Sequence, residues 1–179
     1  MNPSMAGKWD YSKYEYAWRY GDDNQSYVKG MAFLEGCATI EDWGCGTAWA
    51  RQFIPKGSKY IGVDGSGSKF IDKVEDLVLY RSQVDGIFMR HVLEHNLDWE
   101  EILKNFVASF TKKASLVFFT PWRDKTEAVL ADGVRGIYDV LFKKEDITKH
   151  FEGLTVKEEF IAESKTAYGS ETIFYLSKV

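Results

Sequence analysis

Ile40-Glu41-Asp42-Trp43-Gly44-Cys45-Gly46-Thr47, followed by Tyr60-Ile61-Gly62-Val63-Asp64, decides the fold of this chain. The first stretch reads as a short strand entering a glycine turn, and the second as a strand tipped by a carboxylate. Asp64 lies 20 positions after Gly44. A strand, a glycine turn, a short helix and an acid-tipped strand form the nucleotide half of a Rossmann-type unit. There the glycines admit a ligand close to the backbone, and the acid accepts from both ribose hydroxyls.

The residues around the turn argue against a dinucleotide. That fingerprint has a third glycine three positions after the second, and here the position is Trp49, too large to sit against a pyrophosphate. The Lys-Ser or Lys-Thr pair of a P-loop is missing too. Asp42, two residues before Gly44, repels phosphate and welcomes a cation such as a free α-amino group. S-adenosylmethionine has that character, with an ammonium, a sulfonium and no phosphate.

At these residues the sequence resembles the class I S-adenosylmethionine-dependent methyltransferases. Asp42-Trp43-Gly44-Cys45-Gly46-Thr47 is similar to their Asp/Glu-x-Gly-x-Gly motif, with Ala48 where many members carry another glycine. Gly62-Val63-Asp64 resembles their ribose-binding second strand. Asp85 to His95 resembles their fourth strand and the turn after it, where many small-molecule enzymes have Leu-Glu-His. The likeness runs over roughly residues 38 to 179.

Composition bounds the reading. The 179 residues are 45% hydrophobic, which suits one domain, 1–179, with an N-terminal helical cap over 1–36 and a Rossmann-like core over 37–179. A net charge of -4 lowers the case for a nucleic-acid partner. Cys37 and Cys45 read as structural thiols of a reducing compartment, and without a signal-peptide pattern or a membrane-length apolar run the expected location is cytoplasmic. The oligomeric state is open.

Residues 8 to 34 are rich in aromatics: Trp9, Tyr11, Tyr14, Tyr16, Trp18, Tyr20, Tyr27 and Phe33. Tyr14 with Trp18, and Tyr16 with Tyr20, are spaced one helical turn apart, and a second helix is expected near Ser26 to Leu34. The rings either close over a cofactor or cover a sheet face. Strands are expected at 38–42, 60–64, 73–75, 84–89 and 115–120, and helices at 47–53, 99–111 and 142–151. Segments 154–161 and 172–177 read as a terminal antiparallel hairpin. This is an α/β chain, and the resemblance implies a seven-stranded, mostly parallel sheet.

Ligands collect beyond the C-terminal strand ends of such a sheet. The cofactor group is therefore Asp42, Gly44, Cys45, Gly46, Asp64 and Arg90, and the resemblance adds Asp76 and Leu77 at the adenine. His91 and His95 are the catalytic candidates. His91 has the chemistry of a general base, with buttressing of the loop as the plainer role. The resemblance raises a divalent metal at His91-x-x-Glu94-His95, although the first ligand of the family's cluster differs; the plainer reading, with no metal, has Glu94 and His95 bracing the turn. Trp122 and Arg123, after the fifth strand, are candidates to stack on and pair with an acceptor, or simply to form a tight turn.

No Asp/Asn/Ser-Pro-Pro-aromatic run and no Pro-Cys nucleophile follows strand four, which argues against the DNA-methylating chemistries. A small-molecule, sugar or lipid-like acceptor remains. The alternatives are a nucleic-acid or protein methyltransferase of the same fold, or a non-catalytic domain that binds the cofactor and acts through protein contacts.

Overall fold

The computed structural model describes residues 11, 13–19, 23–132 and 137–179. Its strands are β1 (Thr39–Trp43), β2 (Lys59–Asp64), β3 (Lys73–Val74), β4 (Val84–Arg90), β5 (Phe110–Phe118), β6 (Glu127–Asp132), β7 (Ile137–Leu141), β8 (Leu154–Ile161) and β9 (Glu171–Lys178). The α-helices are α1 (Gln25–Phe33), α2 (Trp99–Ser109) and α3 (Lys144–Thr148).

Seven strands form one sheet in the order β3-β2-β1-β4-β5-β9-β8, and β6 and β7 pair as a separate antiparallel hairpin. β3, β2, β1, β4 and β5 run parallel, while β9 is antiparallel to both β5 and β8. The sheet is thus mostly parallel, with the terminal hairpin closing one edge. β1 lies between β2 and β4, where the strand order reverses, so a crevice opens at its C-terminal end.

Side-chain alternation divides the core into two layers. Trp43, Ile87, Met89, Leu116, Phe118 and Phe174 face α2 and α3, packing with Ile102, Leu103, Phe106 and Ile147. Ile40, Phe88, Val117, Ile173 and Tyr175 face α1 and pack on Tyr27, Met31 and Leu34. Ile102, Leu103 and Phe106 are fully covered, and burial of each such side chain stabilises by about 1.5–3 kcal/mol.

Several expectations need correction. Residues 13–19 form turns and bends rather than a helix, because the N–H of Trp18 donates to Thr47 Oγ1 (2.8 Å) and its carbonyl accepts from that hydroxyl (2.6 Å). The backbone of this segment is satisfied across the crevice instead of along a helix. Trp9 and Tyr20 lie outside the described residues. The helix expected over 47–53 is a tighter 3-10 segment, Trp49–Phe53. α2 passes into β5 at Phe110 without a loop, so β5 begins five residues before the expected 115. The segment expected to be helical over 142–151 narrows to α3 and one 3-10 turn, and the β6–β7 hairpin had no sequence-based counterpart. No helix among the described residues is long and apolar enough to cross a membrane.

Candidate active site

The chain leaves β1 at Trp43 and turns with Gly44 at φ 71°, Gly46 at φ 54° and Ala48 at φ 56°. The N–H groups of Gly44 and Cys45 donate to the Val63 carbonyl at 2.7 and 3.2 Å, which pulls the turn over the end of β2. A Cβ at Gly44 would lie 2.3 Å from Val92 Cγ2, and one at Gly46 would lie 3.1 Å from the Tyr11 ring. Gly44 therefore needs glycine for space as well as for φ, and Gly46 needs it for φ. Ala48 holds a left-handed conformation that costs a non-glycine residue on the order of 1 kcal/mol. That conformation gives a physical reason for the glycine many resembled proteins carry there.

Asp64 joins the turn to β2. Its Oδ2 accepts from the Gly46 N–H at 2.9 Å, and its Oδ1 accepts from the Ser66 N–H and hydroxyl at 2.8 and 2.7 Å. Asp42 is buried behind the turn, where its Oδ2 accepts from the Tyr60 hydroxyl at 2.5 Å. Burial pushes its pKa up to about 7, with Asp64 adding to the rise. Burial beside Asp42 and Asp64 also pushes the Cys45 thiol up, so it stays protonated. Beyond β3, Asp76 is exposed and accepts from the Val78 N–H at 3.0 Å, while Leu77 is buried. Asp42, Gly44, Cys45, Gly46, Asp64, Asp76 and Leu77 all line one cavity of about 570 Å³.

Arg90, His91 and His95 line the same cavity. The Arg90 guanidinium donates to Ser26 Oγ (2.8 Å), the Tyr27 hydroxyl (3.0 Å) and Glu171 Oε1 (2.9 Å), and stacks 4.1 Å from the Tyr27 ring centroid. His91 also sits at a left-handed φ of 56°, with Nε2 2.7 Å from the same Glu171 oxygen. Burial, reinforced by Arg90, pushes its pKa down to about 3, so the ring is neutral near pH 7. This corrects the picture of His91 as a base titrating near neutrality.

His95 Nδ1 lies 3.2 Å from Asp139 Oδ1 and 3.5 Å from the Tyr138 carbonyl, both on β7. The Tyr168 hydroxyl donates to Asp139 Oδ2 at 3.0 Å. Both imidazoles stand against Phe119, at centroid distances of 4.6 and 5.4 Å. Asp139, Phe119 and Glu171 were not foreseen. Asp139, a lone acid in the apolar run from Ile137 to Phe142, was the one available signal.

Glu94 is buried apart from the cavity lining, where its Oε1 accepts from the Phe119 N–H at 2.7 Å and burial pushes its pKa up to about 7. His91, Glu94 and His95 are not brought together as metal ligands among the described residues. Trp122 and Arg123 are absent from the described lining, against expectation. The Trp122 ring packs on Phe118 and Phe174 at 5.3 and 5.9 Å, because the chain after Pro121 bends toward Phe142, whose carbonyl accepts from the Arg123 N–H. Tyr11, Trp18 and Trp49 complete the wall at the glycine turn.

No protein-family model matches this sequence, and no curated protein matches it significantly. Solved structures do match it. The 1,6-didemethyltoxoflavin-N1-methyltransferase of Burkholderia thailandensis, solved with its namesake compound and S-adenosylhomocysteine, superposes with a TM-score of 0.68 at 13% identity, over 87% of this chain and 77% of that one. The N-methyltransferase NodS of Bradyrhizobium japonicum WM9, in complex with S-adenosylhomocysteine, gives 0.63 at 13% identity over 93% of each chain. The magnesium protoporphyrin IX methyltransferase of Synechocystis PCC 6803, with bound S-adenosylmethionine, gives 0.59 at 16% identity, over 82% of this chain and 72% of that one. The fold is that of the class I S-adenosylmethionine-dependent methyltransferases.

Proposed function

We propose that this chain is an S-adenosylmethionine-dependent methyltransferase acting on a small-molecule acceptor, with residues 1–179 forming one functional domain. The observation that carries the reading is one shared cavity, whose lining joins the glycine turn, bonded to Asp64, to His91 and His95. The cofactor end fits the ligand chemically. Gly44, Cys45 and Gly46 line the cavity, and residues 42–49 include no lysine or arginine to draw a phosphate. In this reading Asp42 faces the ammonium, Asp64 accepts from the ribose hydroxyls, and Asp76 with Leu77 reads the adenine. Cys45 lines the turn, and Arg90 braces the wall through Glu171.

When bound, the cofactor supplies an already activated methyl group. The protein's part is then to position the acceptor, exclude water and take up a proton where the acceptor carries one. The cavity volume falls in the range of small-ligand sites, which suits a compact acceptor better than a polymer.

Calorimetry with S-adenosylhomocysteine tests this directly, with a micromolar-range Kd expected. The absence of both heat and thermal shift at saturating ligand would end the cofactor reading. Radiolabelled S-adenosylmethionine offered with fractionated small metabolites should then label a low-molecular-weight product. Label appearing only in nucleic acid or protein would replace the acceptor class.

A further inference from the structure

The strand registers place the connection between β8 and β9 on the ligand side of the sheet. Phe118, at the C-terminal end of β5, pairs with Thr172, and Glu171 pairs with Ile161, the last residue of β8. Residues 162–170 therefore leave the sheet at the same edge as Phe119, and Lys165, Thr166 and Ala167 line the cavity with it. The connection is held from two sides. The Lys165 N–H donates to Asp23 Oδ2 at 2.8 Å, close to the start of α1, and the Tyr168 hydroxyl donates to Asp139 Oδ2 at 3.0 Å. Within it, the Ser164 N–H donates to the Gly169 carbonyl at 3.0 Å, and the Gly169 N–H donates to the Thr166 carbonyl at 3.1 Å. The Lys165 side chain is exposed, and its ammonium has no hydrogen-bond or ion-pair partner among the described residues. Arg90, the other lysine or arginine of the described lining, is matched by Glu171 at 2.9 Å. The carboxylates of the lining stand elsewhere. Asp42, Asp64, Glu75 and Asp76 belong to the half of the sheet built by β1, β2 and β3, and Asp139 already accepts from Tyr168.

We propose that the acceptor carries an anionic group, a carboxylate or a phosphate, and that the Lys165 ammonium selects for it. The proposal rests on the methyltransferase reading and adds the charge of the substrate to it. An ammonium that no protein carboxylate holds keeps its three donors for a ligand, and an anion accepts from them with the added strength of the opposite charge. Because hydrogen bonds fix the backbone of the connection, pairing orders only the torsions of the Lys165 side chain. The placement also sorts the two ligands by charge. The ammonium of the cofactor is drawn to the acids of β1 and β2, which repel an anion, and the acidic acceptor is drawn to the β8–β9 connection. The rings of Phe119 and His91, 4.6 Å apart in the same lining, offer apolar surface to the body of a compact acceptor.

The test uses the full chain saturated with S-adenosylhomocysteine and three probes of similar size: benzoate, phenyl phosphate and uncharged benzamide. Protein-observed NMR should show at least one of the anions binding about three- to fivefold more tightly than benzamide, the range of an exposed ion pair. The shifts should include Phe119 and Thr166, and the preference should shrink as the salt concentration rises. The tighter anion identifies the group as carboxylate or phosphate. Lys165→Ala should bring the anions to the benzamide level, and Lys165→Arg should keep the preference. Both variants should retain the urea midpoint of the parent, since the side chain holds nothing in the fold. Equal binding of the three probes, failure of all three to bind, or a preference that survives Lys165→Ala overturns the proposal. Loss of S-adenosylhomocysteine affinity in Lys165→Ala also overturns it, because the ammonium would then hold the carboxylate of the cofactor itself. Failure of the parent to bind S-adenosylhomocysteine defeats the methyltransferase reading, whereas equal probe binding in protein that holds it defeats only the charge selection.

Discussion

The backbone N–H of Gly46 donates to Oδ2 of Asp64 at 2.9 Å, so the glycine turn after β1 and the acidic tip of β2 hold one another in place. One carboxylate thus shapes the turn and, in the proposed reading, receives the ribose. Asp64→Ala should weaken S-adenosylhomocysteine binding by about tenfold or more. It should also lower stability by about 1–3 kcal/mol, because Gly46 and Ser66 lose a shared acceptor. Asp64→Asn keeps an acceptor oxygen and should fall between. Calorimetry and urea unfolding read the two effects separately, and unchanged affinity in a folded Asp64→Ala protein would remove Asp64 from the ribose.

Asp42 makes a prediction about protons. Its folded pKa is raised by burial from 3.8 to about 7, so between these values the folded protein holds a proton that the unfolded chain has lost. The stability from this group is therefore fully present below about pH 4 and disappears as the pH rises through about 7. Asp42→Asn should remove that decline. A bound ammonium favours the ionised acid, so cofactor binding near pH 6.5 should release a fraction of a proton. Calorimetry in buffers of different ionisation enthalpy should detect the release in the parent and not in Asp42→Asn. Heats independent of buffer would place the cation away from Asp42.

Legibility in the sequence followed burial. β1, the glycine turn and β2 were readable because apolar runs end there at residues with few alternative uses, Gly44, Gly46 and Asp64. α2 was readable from Ile102, Leu103 and Phe106, but its end was not, because Thr111-Lys112-Lys113 is polar and starts a strand whose register is set by β4 and β9. β7 was obscured by Asp139, a carboxylate buried among apolar residues only because His95 and Tyr168 satisfy it. Glu171 gave no local sign, since its partners Ser26, Arg90 and His91 are distant in sequence. Asp42, Gly44, Gly46 and Asp64 belong to one contiguous unit that the sequence displays, whereas Arg90, Phe119, Asp139 and Glu171 come from four separated segments whose meeting it does not.

Trp122 and Arg123 should behave as structural and surface residues. Trp122 is part-buried against Phe118 and Phe174, so Trp122→Ala should lower stability by about 3 kcal/mol and leave cofactor affinity unchanged. The exposed side chain of Arg123 should tolerate alanine within about 0.5 kcal/mol. Urea unfolding with calorimetry decides the matter; a loss of S-adenosylhomocysteine affinity in Trp122→Ala would tie that ring to the cavity after all.

His91 joins a strained backbone to a suppressed charge. Its pKa is pushed from 6.5 to about 3, first by burial and then by Arg90, so no rise in rate between pH 6 and 7 should originate from this ring. Between about pH 3 and pH 6.5 the unfolded chain binds a proton that the folded protein refuses. The contribution is therefore fully present above about pH 6.5 and is lost as the pH falls toward about 3. Substituting His91 should make acid unfolding less steep over that window. The backbone adds a second expectation. Alanine and glycine at 91 both lose the contact with Glu171, but only alanine keeps a Cβ at φ 56°. His91→Gly should accordingly be more stable than His91→Ala by about 1 kcal/mol, the reverse of the order at an ordinary position. Urea midpoints measured at pH 7.5 and pH 5 test both expectations. A more stable alanine variant would mean that the left-handed turn relaxes once the ring is gone.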